Sequence, residues 1–188
     1  MSKRSIGKKV PPLILPVCLL GSLVEGRANF CTVAWFTMID DEPPTIGLVL
    51  GKGRRTMDGI LENKSFSVNI PNIGQAQVTD YCGIHSGHKV DKSDLFRTFY
   101  GKLGNAPMIE DSPVNIECRL KEVVEFESVD LVIGEVEDVH IDEGCIDGMK
   151  ANHKLIDPLL YAMPGGPYLR AGDDVAKAFS IGKTLKKK

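Results

Sequence analysis

"TIGLVLGKGRRTMDGILENKSFSVNIP", residues 45–71, holds the choice of fold. It opens on a short β-branched apolar strand, passes two glycines and three cations, and continues into a helix-like stretch and a second alternating strand. A dinucleotide-binding βαβ unit begins in the same order. "GKGRRT" supplies the first two glycines of that fingerprint, but Thr56 stands where the third belongs. The next strand ends "NIPN", with no acid to hold a ribose hydroxyl. The G-K-[ST] phosphate loop fails as well, because that triplet is missing from this stretch. A simpler anion site remains: the amides of Gly51 to Gly53, the charges of Lys52, Arg54 and Arg55, and the Thr56 hydroxyl at a helix start suit a phosphate monoester. A solvated basic turn with Thr56 as N-cap accounts for the same residues.

Working outward, "VCLLGSLVEGRANFCTVAWFTMI" (17–39) carries two apolar stretches around Glu25-Gly26-Arg27, a break with the glycine that a tight hairpin favours. "DDEPPT" (40–45) reads as a loop, since consecutive prolines do not join a central strand. Within the helix, Met57, Ile60 and Leu61 share a face despite Gly59. Residues 73–87 have helical spacing, and "DKSDLFRTF" (91–99) predicts a helix start at Asp91 or Ser93. "VNIECRLKEVVEFES" (114–128) and "VDLVIGEVEDVHID" (129–142) are long alternating strands joined by a short acidic turn. The acidic end of the second predicts an exposed strand edge, and "YAMPGGPYLR" (161–170) a turn. Strands dominate at irregular spacing, without repeat, linker or composition break. The expectation is a single domain over residues 1–188, mainly β with short α-helices, closed or nearly closed into a barrel rather than doubly wound.

Composition is that of a globular protein, 43% hydrophobic and 26% charged. A net charge of −2 argues against general nucleic-acid binding, which leaves a basic footprint. The basic tail Lys186-Lys187-Lys188 reads as a solvated end. No run approaches the roughly 18 to 20 apolar residues of a membrane span. The N-terminal "KKVPPLILPVCLL" has a basic-then-apolar character, but its three prolines break the run and it leads directly into strand sequence. It reads as part of the domain, which predicts a cytoplasmic protein. Five widely spaced cysteines, an odd number without C-x-x-C, predict reduced thiols.

Other candidates are weaker. Trp35, the single tryptophan, lies among the small or polar Asn29, Thr32 and Ala34, where a flat ligand could approach the backbone; a core role for the indole competes with that. His85 and His88 form H-x-x-H without a further ligand at zinc spacing, and His140 and His153 stand isolated, so no metal is expected.

Taken together, "ANFCTVAWF", "DEPP", "IGLVLGKGRRT", "FSVNIP", "DYCGIHSGHKVDK" and the closing "KAFSIGK" resemble, in order and spacing, the flavoredoxin branch of the flavin reductase-like proteins. The resemblance implies an FMN-binding split β-barrel, usually a homodimer with flavin near the subunit interface. It implies that the isoalloxazine lies along Asn29, Phe30, Cys31, Thr32, Val33, Ala34 and Trp35, and the phosphate at Lys52, Arg54, Arg55 and Thr56. It further implies that Lys92 contributes, with Tyr161 or Tyr168 from the C-terminal loop. The implied activity is that of an FMN-dependent oxidoreductase passing hydride or electrons from NAD(P)H or a redox partner protein, with no obligatory protein acid or base. A non-catalytic module storing FMN or another nucleotide monophosphate is the alternative.

Overall fold

A computed structural model describes residues 2–185; the basic tail 186–188 lies outside the described residues. The chain folds as β1 (Leu13–Pro16), β2 (Cys18–Val24), β3 (Arg27–Val33), β4 (Phe36–Asp41), β5 (Pro44–Gly51), α1 (Arg55–Asn63), β6 (Ser65–Ile70) and α2 (Ala76–Ile84). Two short strands follow, β7 (Thr98–Phe99) and β8 (Met108–Ile109), then the long hairpin β9 (Val114–Glu125) and β10 (Val129–Ile141). A small ribbon β11 (Ile146–Asp147) and β12 (Lys150–Ala151), a turn of helix α3 (His153–Ile156), and the hairpin β13 (Leu159–Met163) and β14 (Tyr168–Arg170) complete it.

Seven strands form one sheet in the order β3-β2-β6-β9-β10-β5-β4, with every pairing antiparallel. The sheet curls on itself. Cys31 and Val33 of β3, at one edge, share a core with Ile46, Leu48 and Leu50 of β5, near the other. The two edges are consecutive in the chain, joined only by Ala34 and Trp35, and no ladder pairs β3 with β4 among the described residues. The barrel is thus split at that seam, where Val49 N donates to Trp35 O at 2.8 Å. A mainly antiparallel split barrel replaces the dinucleotide fold that the glycine loop first suggests.

Local chemistry explains the joints. Glu25 and Gly26 both have positive φ (51° and 74°), the geometry of a two-residue turn that follows strand twist. α1 lies so close on β2 that a Cβ at Gly59 would sit 2.1 Å from Leu23 O; the glycine is what permits the approach. Met57 and Ile60 are buried there, whereas Leu61 is 44% exposed, because the close face centres on Gly59 and turns residue 61 outward. The outer face of β2 and β3 is covered in turn, with Leu19, Phe30, Cys82 and Ile109 forming a second core.

Several expectations change. The stretch after Arg27 is two strands broken at Ala34-Trp35, since the chain must cross from one sheet edge to the other. "DDEPPT" is a tight hairpin: Asp41 ends β4 and Pro44 opens β5, a first-strand position that needs no N–H. The helix expected from residue 91 or 93 is one 3-10 turn, Ser93–Leu95. The N-terminal apolar run is β1, paired with β13, as part of the folded body. All five cysteines are buried free thiols. Past Glu135, β10 loses its β5 partner and keeps only β9, which gives the acidic segment its open side. No helix among the described residues is long and apolar enough to cross a membrane.

His140 is not isolated. Its ring stands edge-on to Phe99 at 5.5 Å and lies 3.6 Å from the fully buried carboxylate of Glu117, which accepts the Lys102 and Leu103 amides at 2.8 and 2.9 Å. Asp138 joins this cluster, and the Lys102 ammonium, 3.0 Å from it, supplies the positive charge.

Candidate functional site

The loop after β5 turns at Gly53 (φ 72°) and enters α1, whose N-cap position is held by Arg54 without a side-chain cap. Thr56 is therefore one residue into the helix and is not its cap. Its hydroxyl instead accepts from Asn29 Nδ2 at 2.8 Å, tying the first turn of α1 to β3. Asn29 Oδ1 faces Gly87, where an added Cβ would come within 2.4 Å of it and 3.1 Å of Arg55 Cβ. Gly87 keeps the segment 85–92 close without filling the space.

That space is a cavity of about 680 Å³ lined by Asn29, Arg55, Arg27, Gly87, Lys92 and their neighbours. Arg55 is held at its mouth by Glu25 (2.7 Å) and Asp58 (3.3 Å), and Arg27 by Asp91 (2.6 Å). Lys92, 2% exposed, forms part of its wall. The ammonium donates to Phe30 O (2.6 Å), His85 O (3.0 Å) and Cys82 O (3.3 Å), so it staples β3 to the C-terminal end of α2. Among the described residues all its partners are carbonyls, none a carboxylate. Burial, with the like charge of Arg54, holds its pKa below the ordinary lysine value. An anion in the cavity would complement this charge.

The remaining basic residues go elsewhere. Lys52 is bound to Asp130 (2.5 Å) and Glu125 (3.3 Å) at the end of the β9–β10 hairpin, outside the cavity lining. The Arg54 side chain runs back beside Gly51. His88 Nε2 meets Gly53 O at 3.2 Å, while His85 stacks on Tyr81 at 4.0 Å, so the H-x-x-H pair does not converge.

Farther along β3, Thr32 and Ala34 line a narrow crevice of about 140 Å³ with Val17, Gly83, Tyr161 and Tyr168. The Thr32 hydroxyl donates to Thr79 O of α2. Tyr161 and Tyr168 face each other across β13 and β14 with ring centroids 6.0 Å apart. Tyr161 Oη accepts from Gly165 N and Tyr168 Oη donates to Asp80, each fixing its ring. Burial and then Asp80 push the Tyr168 phenol up to about 12, so it stays a neutral donor. Asn29 and Ala34 are five residues apart, about 17 Å along an extended strand.

Phe30, Cys31 and Val33 point their side chains into the two cores and can offer a ligand only backbone. β3 is an edge strand, so alternate N–H and C=O groups along it have no strand partner. Trp35 is neither in the core nor in the crevice. Its ring, 45% exposed, lies over an apolar groove of about 590 Å³ with Leu13, Leu15, Ile39, Leu131 and Met163, and its Nε1 meets Met163 Sδ at 3.3 Å.

The structure thus brings Arg55, Thr56 and Lys92 together around Asn29, and Tyr161 together with Thr32 and Ala34, so that the two groups lie at successive points along β3. It sets Lys52, Arg54 and the Trp35 indole apart. Arg27, Gly87 and Gly83 are lining residues that sequence reasoning does not reach. The glycine inside "HSGHK" is the available signal for the second of these.

Residues 13–165 match the family model described as flavin reductase like domain. The fold is similar to that of flavoredoxin from Methanosarcina acetivorans, with 41% identity and a TM-score of 0.95 over 99% of this chain and 100% of that one. It is also similar to flavoredoxin of Desulfovibrio vulgaris (Miyazaki F), with 31% identity and a TM-score of 0.90 over 96% and 100%. In sequence the chain is 26% identical over 117 residues to FMN reductase (NADH) RutF of Escherichia coli (strain K12), covering 61% of this chain and 68% of that one.

Proposed function

The chain belongs to the flavin reductase-like family and is an FMN-binding oxidoreductase of the split-barrel kind, and within that class we propose that β3 carries the flavin, its phosphate in the Arg55–Lys92 cavity and its ring toward the Tyr161–Tyr168 crevice. The observation that carries this reading is Lys92: a buried ammonium with no carboxylate partner among the described residues, walling a cavity that also presents Asn29 and Arg55. The absence of a side chain at Gly87 supports it, because a Cβ there would close the cradle against Asn29.

In this reading Arg55 and the uncapped first turn of α1 bind the phosphate by charge-assisted hydrogen bonds, and Asn29 holds Thr56 in position for it. Lys92 acts mainly through charge, since its three donors are engaged by carbonyls. Lys52 contributes by fixing the turn to Asp130. Edge N–H groups between Thr32 and Ala34 would be the donors available to a ring that gains negative charge on reduction. When bound, FMN supplies the acceptor of hydride or electrons; the chain supplies orientation and electrostatics.

The reductant we propose is NADH, on the likeness to the NADH-dependent FMN reductase, in a homodimer of a cytoplasmic protein. The five free buried thiols are in keeping with a reducing compartment. The test is the visible spectrum of the purified protein, followed by stopped-flow mixing with NADH and with NADPH. Bleaching of bound flavin by NADH is expected. A flavin that neither nucleotide bleaches moves the reading to an electron carrier, and a colourless protein that takes up no FMN ends it.

A further inference from the structure

The C-terminal segment stands off the body with its apolar side chains in solvent. Every residue from Ala171 to Leu185 is exposed. Asp174 roots the segment, pairing with His153 (2.9 Å) and Lys154 (3.1 Å). Beyond it, every hydrogen bond of residues 175–185 among the described residues stays inside the segment. Val175, Phe179, Ile181 and Leu185 nonetheless face water, Phe179 at 98% exposure. Phe179 also has φ 56°, a left-handed conformation that a bulky side chain avoids unless its surroundings impose it.

The same chain carries an unfilled counterpart. The groove floored by Leu15, Leu131 and Met163 and walled by Leu13, Trp35 and Ile39 is almost wholly apolar, and no residue of the arm lines it. Leu13, Trp35 and Ile39 are each nearly half exposed around it, apolar surface that a docked segment would remove from water. Its β4 wall is an unpaired sheet edge, with Met38 and Ile39 exposed. Charge matches as well. At the tip of that wall, Asp40, Asp41 and Glu42 are without an ion pair among the described residues, and so are Lys177 and Lys183 on the arm. Eleven residues from Val175 to Leu185 can span up to roughly 36 Å when extended, enough to cross onto another subunit.

We propose that two copies of the chain exchange these arms, the apolar side chains around Phe179 of one copy seating in the Trp35 groove of the other, with the arm lysines against the acidic β4–β5 tip. Each copy offers one arm and one groove, so a two-fold pair satisfies both and closes. The proposal rests on the dimer reading above and specifies what makes it.

The test is a full-length chain carrying both Phe179→Cys and Ile39→Cys, oxidised mildly and run without reductant. The native thiols are buried and leave the introduced pair to react. A covalent dimer is expected. A covalently closed monomer would mean that the arm folds onto its own groove, and no bond at all would mean that it docks elsewhere; either overturns the proposal. Light scattering on Phe179→Asp, with more than tenfold weaker self-association expected, separates the two readings. A dimer that survives this change without cross-linking keeps the dimer and removes the arm exchange. Lys177→Glu with Lys183→Glu should weaken association, and Asp41→Lys with Glu42→Lys should restore it.

Discussion

At the scale of single residues, Lys92 concentrates the chemistry. Its ammonium satisfies three buried carbonyls while remaining a charge without a carboxylate. Lys92→Met keeps the chain length but orphans those acceptors, and is expected to cost about 2–4 kcal/mol in urea unfolding and to weaken FMN at least tenfold by fluorescence titration. The pH dependence has a definite sign. The folded pKa of Lys92 is depressed, so the unfolded chain holds more protons across the window between that value and 10.5. Its buried charge therefore weighs against the fold below the window, and this penalty lifts as pH rises toward 10.5. FMN affinity should fall over the same interval as the charge is lost, and Lys92→Met should abolish both trends. Arg55→Ala and Thr56→Ala should weaken FMN roughly tenfold or more while leaving riboflavin nearly unchanged, because in the proposed site both residues serve the phosphate, which riboflavin lacks. Lys52→Ala should change neither ligand much, its ammonium being held by Asp130 and Glu125. That contrast between neighbours is not legible in "GKGRRT". The residue types announce an anion, but the direction of each side chain depends on the turn at Gly53 and on carboxylates far along the chain.

Among the elements, periodicity recovered the strands and helices better than their ends. β6, β9, β10 and α2 follow directly from alternation and helical spacing. The break at Ala34-Trp35 does not, because nothing in the apolar pattern marks where a curling sheet runs out. Glu117 is another instance: alternation places it among the polar positions of a strand, yet it is buried beneath the amides of Lys102 and Leu103, which come from a loop the strand pattern cannot see. Gly59 is the sharpest case. Helix propensity favours alanine there by about 1 kcal/mol. The Leu23 carbonyl, 2.1 Å from where the methyl would stand, reverses the sign. Gly59→Ala should destabilise by about 1–3 kcal/mol through forced separation of α1 from β2, measured as a lower urea midpoint with unchanged slope. Because α1 presents Arg55 and Thr56, the same variant should also bind FMN less tightly.

Over the whole molecule, a barrel left open between its first and last sheet strands makes β3 an edge inside an otherwise closed structure. Strand content and the order of motifs pointed to a split barrel, but the pairing order β3-β2-β6-β9-β10-β5-β4 joins segments too distant in sequence for any local pattern to announce. The proposed cofactor site draws on three such segments, around Asn29, Arg55 and Gly87, and a ligand held by all of them should couple their opening. FMN at about 100-fold over its Kd should raise unfolding free energy by about 2.7 kcal/mol. Hydrogen exchange should locate that gain. Slowing is expected across residues 27–34, 53–57 and 85–92, with the hairpin of β9 and β10 unaffected. Protection centred on Lys52, Glu125 and Asp130 would carry the phosphate to the opposite side of the glycine turn and return Lys52 to the role its motif suggests. Protection confined to β3 without the 85–92 segment would leave Lys92 as a staple of the fold alone.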